Sequence, residues 1–167
     1  MTTENQSTPS TKAQTQKTFF SRETTVCINI KAKRSTIWAI LTNADDYSRW
    51  NSTIVYIKGE IAVGKKIKLK SNLDLEREFN LKVDQMKTDE KMVWADGTAP
   101  FFRGVRTYSL KDNPSGGVDF TMTERLAGIM APMILRFIPD FDQSFAQFAE
   151  DLKKEAELRH KAEALLS

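Results

Sequence analysis

Apart from Ala13, no apolar side chain of appreciable size lies between residues 2 and 18, a stretch of mainly Thr, Ser, Gln, Asn and Lys. Such a segment cannot offset the entropy of ordering its backbone, so residues 1–17 are expected to form a disordered tail. From Phe19 the pattern changes. Val26, Ile28 and Ile30 alternate with Thr25, Cys27 and Asn29, which predicts a half-buried strand. Ile37, Trp38 and Leu41 then share one face at helical spacing, and Asp45 with Asp46 opens a second short turn, predicting two short helices after the first strand.

Six strands follow, over 54–58, 66–71, 77–86, a segment holding Met92 and Trp94, 102–110 and 118–125. The last two flank Asp112-Asn113-Pro114-Ser115-Gly116-Gly117, a strong hairpin signal, and spacing this tight favours antiparallel neighbours. Beyond Gly128 the period becomes helical: Ile134, Phe137, Ile138, Phe141, Phe145, Phe148 and Leu152 recur every three or four residues, which predicts a long amphipathic closing helix. Pro139 lacks a backbone N–H and is expected to kink or restart that helix. The expected architecture is α+β: a single domain over 18–160 built of a seven-stranded curved antiparallel sheet and one long C-terminal helix, with 161–167 a short tail.

Composition narrows the chemistry. The 167 residues, 19.0 kDa, suit one core. The longest apolar run, Leu126 to Leu135, is about half of a bilayer span and contains Gly128 and Pro132, so no transmembrane helix is expected. The N-terminal segment has no apolar h-region, and the expected compartment is the cytoplasm. The single Cys27 excludes an internal disulfide and a multi-cysteine zinc site, and the single His160, in a charged stretch, argues against a histidine-based triad or metal centre. A net charge of +3 with interspersed signs gives no basic stripe for nucleic acid.

Alternation assigns an inner face. Phe102, Gly104, Arg106, Tyr108 and Leu110 share one side of their strand, and Val118, Phe120, Met122 and Glu124 one side of the next. Counting back from the turn sets Arg106 opposite or diagonal to Glu124 on an otherwise apolar wall, where each charge needs the other. The pair reads as a structural salt bridge, as an anchor orienting the polar end of a ligand, or as a site where desolvated Glu124 acts as a general acid or base. Phe79, Leu81, Val83 and Trp94 point the same way and are either core or pocket lining. Phe137, Phe141, Phe145 and Phe148 form the buried face of the closing helix, some of them facing the sheet. Residues 126–138 read chiefly as a buried connection; if exposed, they form a lip able to touch a membrane transiently. Arg77, Arg103 and Arg125 have outward parity, and no Gly-x-Ser-x-Gly elbow or phosphate loop is present.

The ordered set Ile37 to Thr42, Trp50-Asn51, Gly59, Gly64, Trp94, Phe102-x-Gly104, Tyr108-x-Leu110, Gly116-Gly117, Glu124 and Gly128 resembles the SRPBCC superfamily, the START and birch-pollen-allergen-like helix-grip domains, and within it the polyketide cyclase/dehydrase group. The resemblance spans about residues 19 to 158. It implies a deep apolar cavity between sheet and helix that holds a lipid, polyketide-like or aromatic molecule, with no metal or tightly bound cofactor. The family often carries a histidine where this chain has Arg106, so the inferred cavity lacks an imidazole. The ligand-binding expectation falls on Phe79, Leu81, Trp94, Phe102, Arg106, Tyr108, Phe120, Met122, Glu124, Phe137, Phe141 and Phe145. Alternatives are a cyclase or dehydratase using Glu124 or Tyr108 for proton transfer, and a lipid-transfer or quinone-binding accessory protein.

Overall fold

A computed structural model describes residues 11–167. The part of the expected tail over residues 1–10 lies outside the described residues. The chain runs β1 (Gln14–Thr18), β2 (Ser21–Ile30), α1 (Arg34–Thr42), α2 (Tyr47–Trp50), β3 (Ile54–Lys58), β4 (Lys66–Ser71), β5 (Phe79–Lys87), β6 (Lys91–Thr98), β7 (Phe102–Asp112), β8 (Val118–Ala127), α3 (Ala131–Ile134) and α4 (Asp142–Leu166). All eight strands form one sheet in the order β1-β2-β8-β7-β6-β5-β4-β3, with every neighbouring pair antiparallel. The sheet packs on α4, chiefly through β2, and α1 and α2 close one end.

The α+β architecture holds, with three corrections at its margins. Residues 14–17, expected to be the end of the tail, form with Thr18 an edge strand on β2. Its polar sequence carries no apolar alternation because most of its side chains are exposed. The eighth strand is this one. Residues 161–166, also expected to be tail, continue α4, where nothing in the sequence breaks the helix before its end.

The third correction concerns the start of the closing helix. Ala131–Ile134 and the single turn after it keep a helical spacing, but Ile138 is extended ahead of Pro139, as the ring of a following proline demands. The long helix therefore begins at Asp142, and Phe137 lies outside it. Phe137 is 80% exposed rather than buried.

The core is apolar where alternation placed it. Trp94, Tyr108, Phe120 and Met122 are fully buried, and the three aromatic rings among them continue to Phe148 of α4, with Trp94–Tyr108 centroids 5.0 Å apart and Tyr108–Phe148 6.1 Å. At the α1–α2 end the Tyr47 hydroxyl donates to the Leu41 carbonyl at 2.7 Å, and Asn51 Oδ1 accepts from the Thr53 N–H and hydroxyl at 3.0 and 2.7 Å. The loop after α2 is thereby fixed, as buried polar groups require. Arg49 and Arg159 both pair with Glu155, and both reach Asp46, tying α2 and the turn before it to α4. These contacts hold Glu155 and Asp46 below the ordinary carboxylate range, hydrogen bonding to Arg49 being the largest cause in each case.

Candidate functional site

The β7–β8 register sets Arg106 directly opposite Glu124, the first of the two arrangements the hairpin count allowed. The same row continues to Trp94 on β6 and to Thr24 on β2, so four adjacent strands carry a polar belt across an apolar wall. Glu124 accepts from Arg106 Nε and pairs with its Nη2. Only 17% of the Arg106 side chain and 14% of Glu124 remain exposed. The guanidinium also lies over the Phe145 ring, 5.2 Å from its centroid, so α4 covers the charge from the other side. Burial alone would lower the Arg106 pKa, but Glu124 and Tyr108 outweigh it and hold the group above its ordinary value. The guanidinium and the carboxylate thus form one ion pair set into an apolar wall.

Above this pair lies a cavity of about 230 Å³ between the sheet and α4. Of the twelve residues expected to bind a ligand, ten line it: Phe79, Leu81, Trp94, Phe102, Arg106, Met122, Glu124, Phe137, Phe141 and Phe145. Tyr108 and Phe120 do not line it; they are buried beneath its floor, stacked toward Phe148. Phe137 contributes from the mouth instead of from the helix. Burial pushes the Tyr108 phenol up to about 12, against the opposing pull of the Arg106 charge.

At this level the buried indole Nε1 of Trp94 has no hydrogen-bond partner among the described residues, while the Tyr108 hydroxyl is hydrogen-bonded with the Arg106 guanidinium. Trp94 is 1% exposed and is itself a wall of the cavity.

Several wall residues escaped the sequence reading. Ile54, Leu69 and Ser71 come from β3 and β4, whose inner face could not be phased against β7 without the intervening register, and Asp74 and Arg77 come from the β4–β5 loop. Arg77, expected to be solvated by parity, is exposed yet lies at the cavity wall with its guanidinium 5.1 Å from the Phe79 ring centroid. The other two outward arginines pair at the surface, Arg103 with Asp84 and Arg125 with Glu23.

The mouth is apolar and open, contrary to the buried connection expected over 126–138. Ile129, Met130, Met133 and Phe137 are exposed, while Leu126 and Ala131 are buried. Backbone bonds draw two neighbouring turns to the same end: Gly128 N–H donates to Phe20 O at 3.1 Å, Ile129 N–H to Pro100 O at 3.0 Å and Met130 N–H to Phe101 O at 3.0 Å. Phe19, Phe20 and Phe101 are exposed as well. Gly128 permits this closure, since its φ is +150° and a Cβ there would stand 2.1 Å from the Phe101 carbonyl oxygen. Arg22, a residue given no role from the sequence, fixes the far side of the mouth. It is buried, donates to the carbonyls of Ile138 and Pro139 at 3.0 and 2.9 Å, and lies over Phe141.

Among the described residues no group of His, Cys, Asp and Glu could hold a metal ion, and no helix is long and apolar enough to cross a membrane.

Residues 31–157 match the sequence model of the family described as Activator of Hsp90 ATPase homolog 1-like protein. No curated protein gives a significant match. Similar solved structures include protein MLL2253 from Mesorhizobium loti, with 17% identity and a TM-score of 0.59 over 80% of this chain and 96% of that one. Another is the conserved protein EF2215 from Enterococcus faecalis, with 16% identity and a TM-score of 0.61 over 88% and 78%. A third is the di-domain ARO/CYC BexL from the BE-7585A biosynthetic pathway, with 10% identity and a TM-score of 0.60 over 84% of this chain and 51% of that one. At these identities the likeness is one of fold.

Proposed function

Because the chain belongs to the Activator of Hsp90 ATPase homolog 1-like family, within the SRPBCC superfamily, we propose that it binds a small hydrophobic molecule in the cavity between the sheet and α4. The supporting observation is the cavity of about 230 Å³, walled by aromatic and aliphatic side chains around a single ion pair. Sites for small organic ligands have this make-up, although their usual volume starts somewhat higher, at roughly 300 Å³. Burial contributes roughly 0.8 kcal/mol per methylene, and the Arg106–Glu124 pair orients the polar end. Non-denaturing mass spectrometry of the protein purified from its native host tests this reading. A co-purifying apolar compound, released when Leu81→Trp fills the cavity, supports it; protein that neither carries nor takes up any apolar compound overturns it.

Catalysis of a cyclase or dehydratase type asks for a group free to move a proton. Arg106 engages the Glu124 carboxylate, and a phenol pushed up to about 12 keeps its proton at neutral pH, so both candidates favour binding over proton transfer. Glu124→Gln separates the two: an enzyme loses turnover while still binding, whereas a binding protein changes affinity alone.

The exposed rim favours a second reading, ligand exchange with a lipid surface. Phe137 belongs both to the cavity wall and to the exposed apolar end, so whatever covers that end also faces the opening. Sedimentation with vesicles of zwitterionic and anionic lipid tests it: binding abolished by Ile129→Glu with Met133→Glu supports docking, and no binding by the unaltered chain removes it.

A further inference from the structure

The end of the sheet at the cavity mouth carries an apolar surface that turn chemistry does not call for. Phe19 and Phe20 make up the whole turn between β1 and β2, since Thr18 pairs with Ser21. Two-residue hairpin turns favour Gly, Asn, Asp or Ser, yet here two phenylalanines stand at the tip, 73% and 53% exposed, with ring centroids 4.8 Å apart. The strands β1, β2, β8, β7 and β6 are successive neighbours, and their registers set Phe101, Ile129 and Met130 at the same end as this tip. At about 200 Å² for a whole side chain, Phe19, Phe20, Phe101 and Phe137 together expose on the order of 500 Å². Ile129, Met130 and Met133 carry the patch beyond the roughly 300–600 Å² usual for the largest on a monomer.

The tip is clamped to the rim of the cavity. Lys17 pairs with Asp140 and buried Arg22 holds the Ile138 and Pro139 carbonyls, so both flanks of Phe19-Phe20 grip the segment that walls the opening. A surface held in this way needs little further ordering to dock. Charge restricts what covers it. Lys17, Arg103 and Arg125 are already paired with Asp140, Asp84 and Glu23. Arg77 and Arg136 lie over the Phe79 and Phe137 rings with no carboxylate within ion-pair distance among the described residues. Asp74 and Asp96 of the cavity wall, which accept only from backbone N–H groups, balance these two cations. The mouth therefore offers no basic collar to anionic head groups. A second copy of the chain would need hollows matched to each protruding turn, whereas fluid acyl chains fill around them. The first ten residues hold one large apolar side chain, Met1, too few to cover the patch.

From the phenylalanine tip and the balanced charges we infer that this end inserts into an electrically neutral, zwitterionic bilayer, with Phe19, Phe20 and Phe101 as its anchors and the cavity mouth facing the acyl chains. The inference rests on the lipid-surface reading above and specifies its anchors and its lipid. Binding follows the apolar area buried, so neither anionic lipid nor low salt strengthens it.

The test sediments the full chain with vesicles of phosphatidylcholine alone, or with about 30% phosphatidylserine, at about 0.05 and about 0.5 M NaCl. Partitioning onto phosphatidylcholine is expected, changed less than twofold by phosphatidylserine or by salt. Phe19→Ser with Phe20→Ser should weaken it at least tenfold and Phe101→Ser several-fold. Uptake of 2-ethylnaphthalene should stay as in the unaltered chain, since none of these three residues lines the cavity, and this guards against a folding failure. Leu158→Ser removes an exposed apolar side chain from α4 and should leave partitioning unchanged. Binding that requires phosphatidylserine, that fails at high salt, or that survives the paired serine variant overturns this inference alone. So does a vesicle-free dimer that the same variant makes monomeric, which would assign the surface to a second copy. No binding to either vesicle overturns the lipid-surface reading with it.

Discussion

At the scale of single residues the decisive pair is Arg106 and Glu124, each of which would be a buried uncompensated charge without the other. Arg106→Met strands Glu124 and is expected to cost about 3 kcal/mol of stability, as removal of one partner from a buried pair generally does. Adding Glu124→Leu should recover most of that loss, because the wall around the pair is apolar. A double-mutant cycle in urea checks this: full additivity of the two single losses would show that the residues do not act as a pair. The pairing was legible in the sequence, because a hairpin turn fixes register and register fixes which side chains meet. The unpaired indole of Trp94 was not, since parity gives a side chain's face but not whether a partner reaches its N–H.

At the scale of elements, the contacts that shape the mouth and the helix ends lie in segments with weak periodicity. Arg22 of β2 holds the carbonyls of the loop before α4, and hydrogen bonds from a charged donor contribute roughly 1.5–3 kcal/mol each way they are lost. Arg22→Met removes both bonds and should therefore destabilise the chain by about 3 kcal/mol and raise amide exchange over residues 138–145, with exchange in β7 and β8 little changed. Gly128→Ala should be as damaging, by forcing apart the β6–β7 turn and the end of β8, and is read by the same denaturation midpoint. The helical spacing through Phe137 misled because α3 and the turn after it are indeed helical; only the backbone of Ile138, restricted by Pro139, separates them from α4. The edge strand β1 gave no signal at all, since its stability comes from pairing with β2 and its side chains are mostly exposed. Between α2 and α4, Asp46 and Glu155 have pKa values lowered by Arg49 and Arg159. A carboxylate with a depressed folded value stabilises the fold above its unfolded pKa and loses that contribution as pH falls through the folded one. Stability should thus decline on acidification below about pH 4.3, and the decline should be shallower in Glu155→Gln. Thermal melts of both chains from pH 6 to pH 3 test the sign; parallel curves would contradict it.

At the scale of the molecule, a sheet of eight strands and one long helix enclose space that their side chains do not fill. The alternating strands, the hairpin and the closing helix specify those two layers. Whether aromatic residues on facing layers interlock or stand apart depends on sheet curvature, which no residue spacing records; here the expectation of a cavity came from resemblance. The direct test is a calorimetric titration of 2-ethylnaphthalene into the unaltered chain and into Leu81→Trp. Saturable binding at one site per chain, lost in the filled variant while its melting temperature is maintained, is the predicted result. No binding to the unaltered chain, or equal binding to both, would contradict the account.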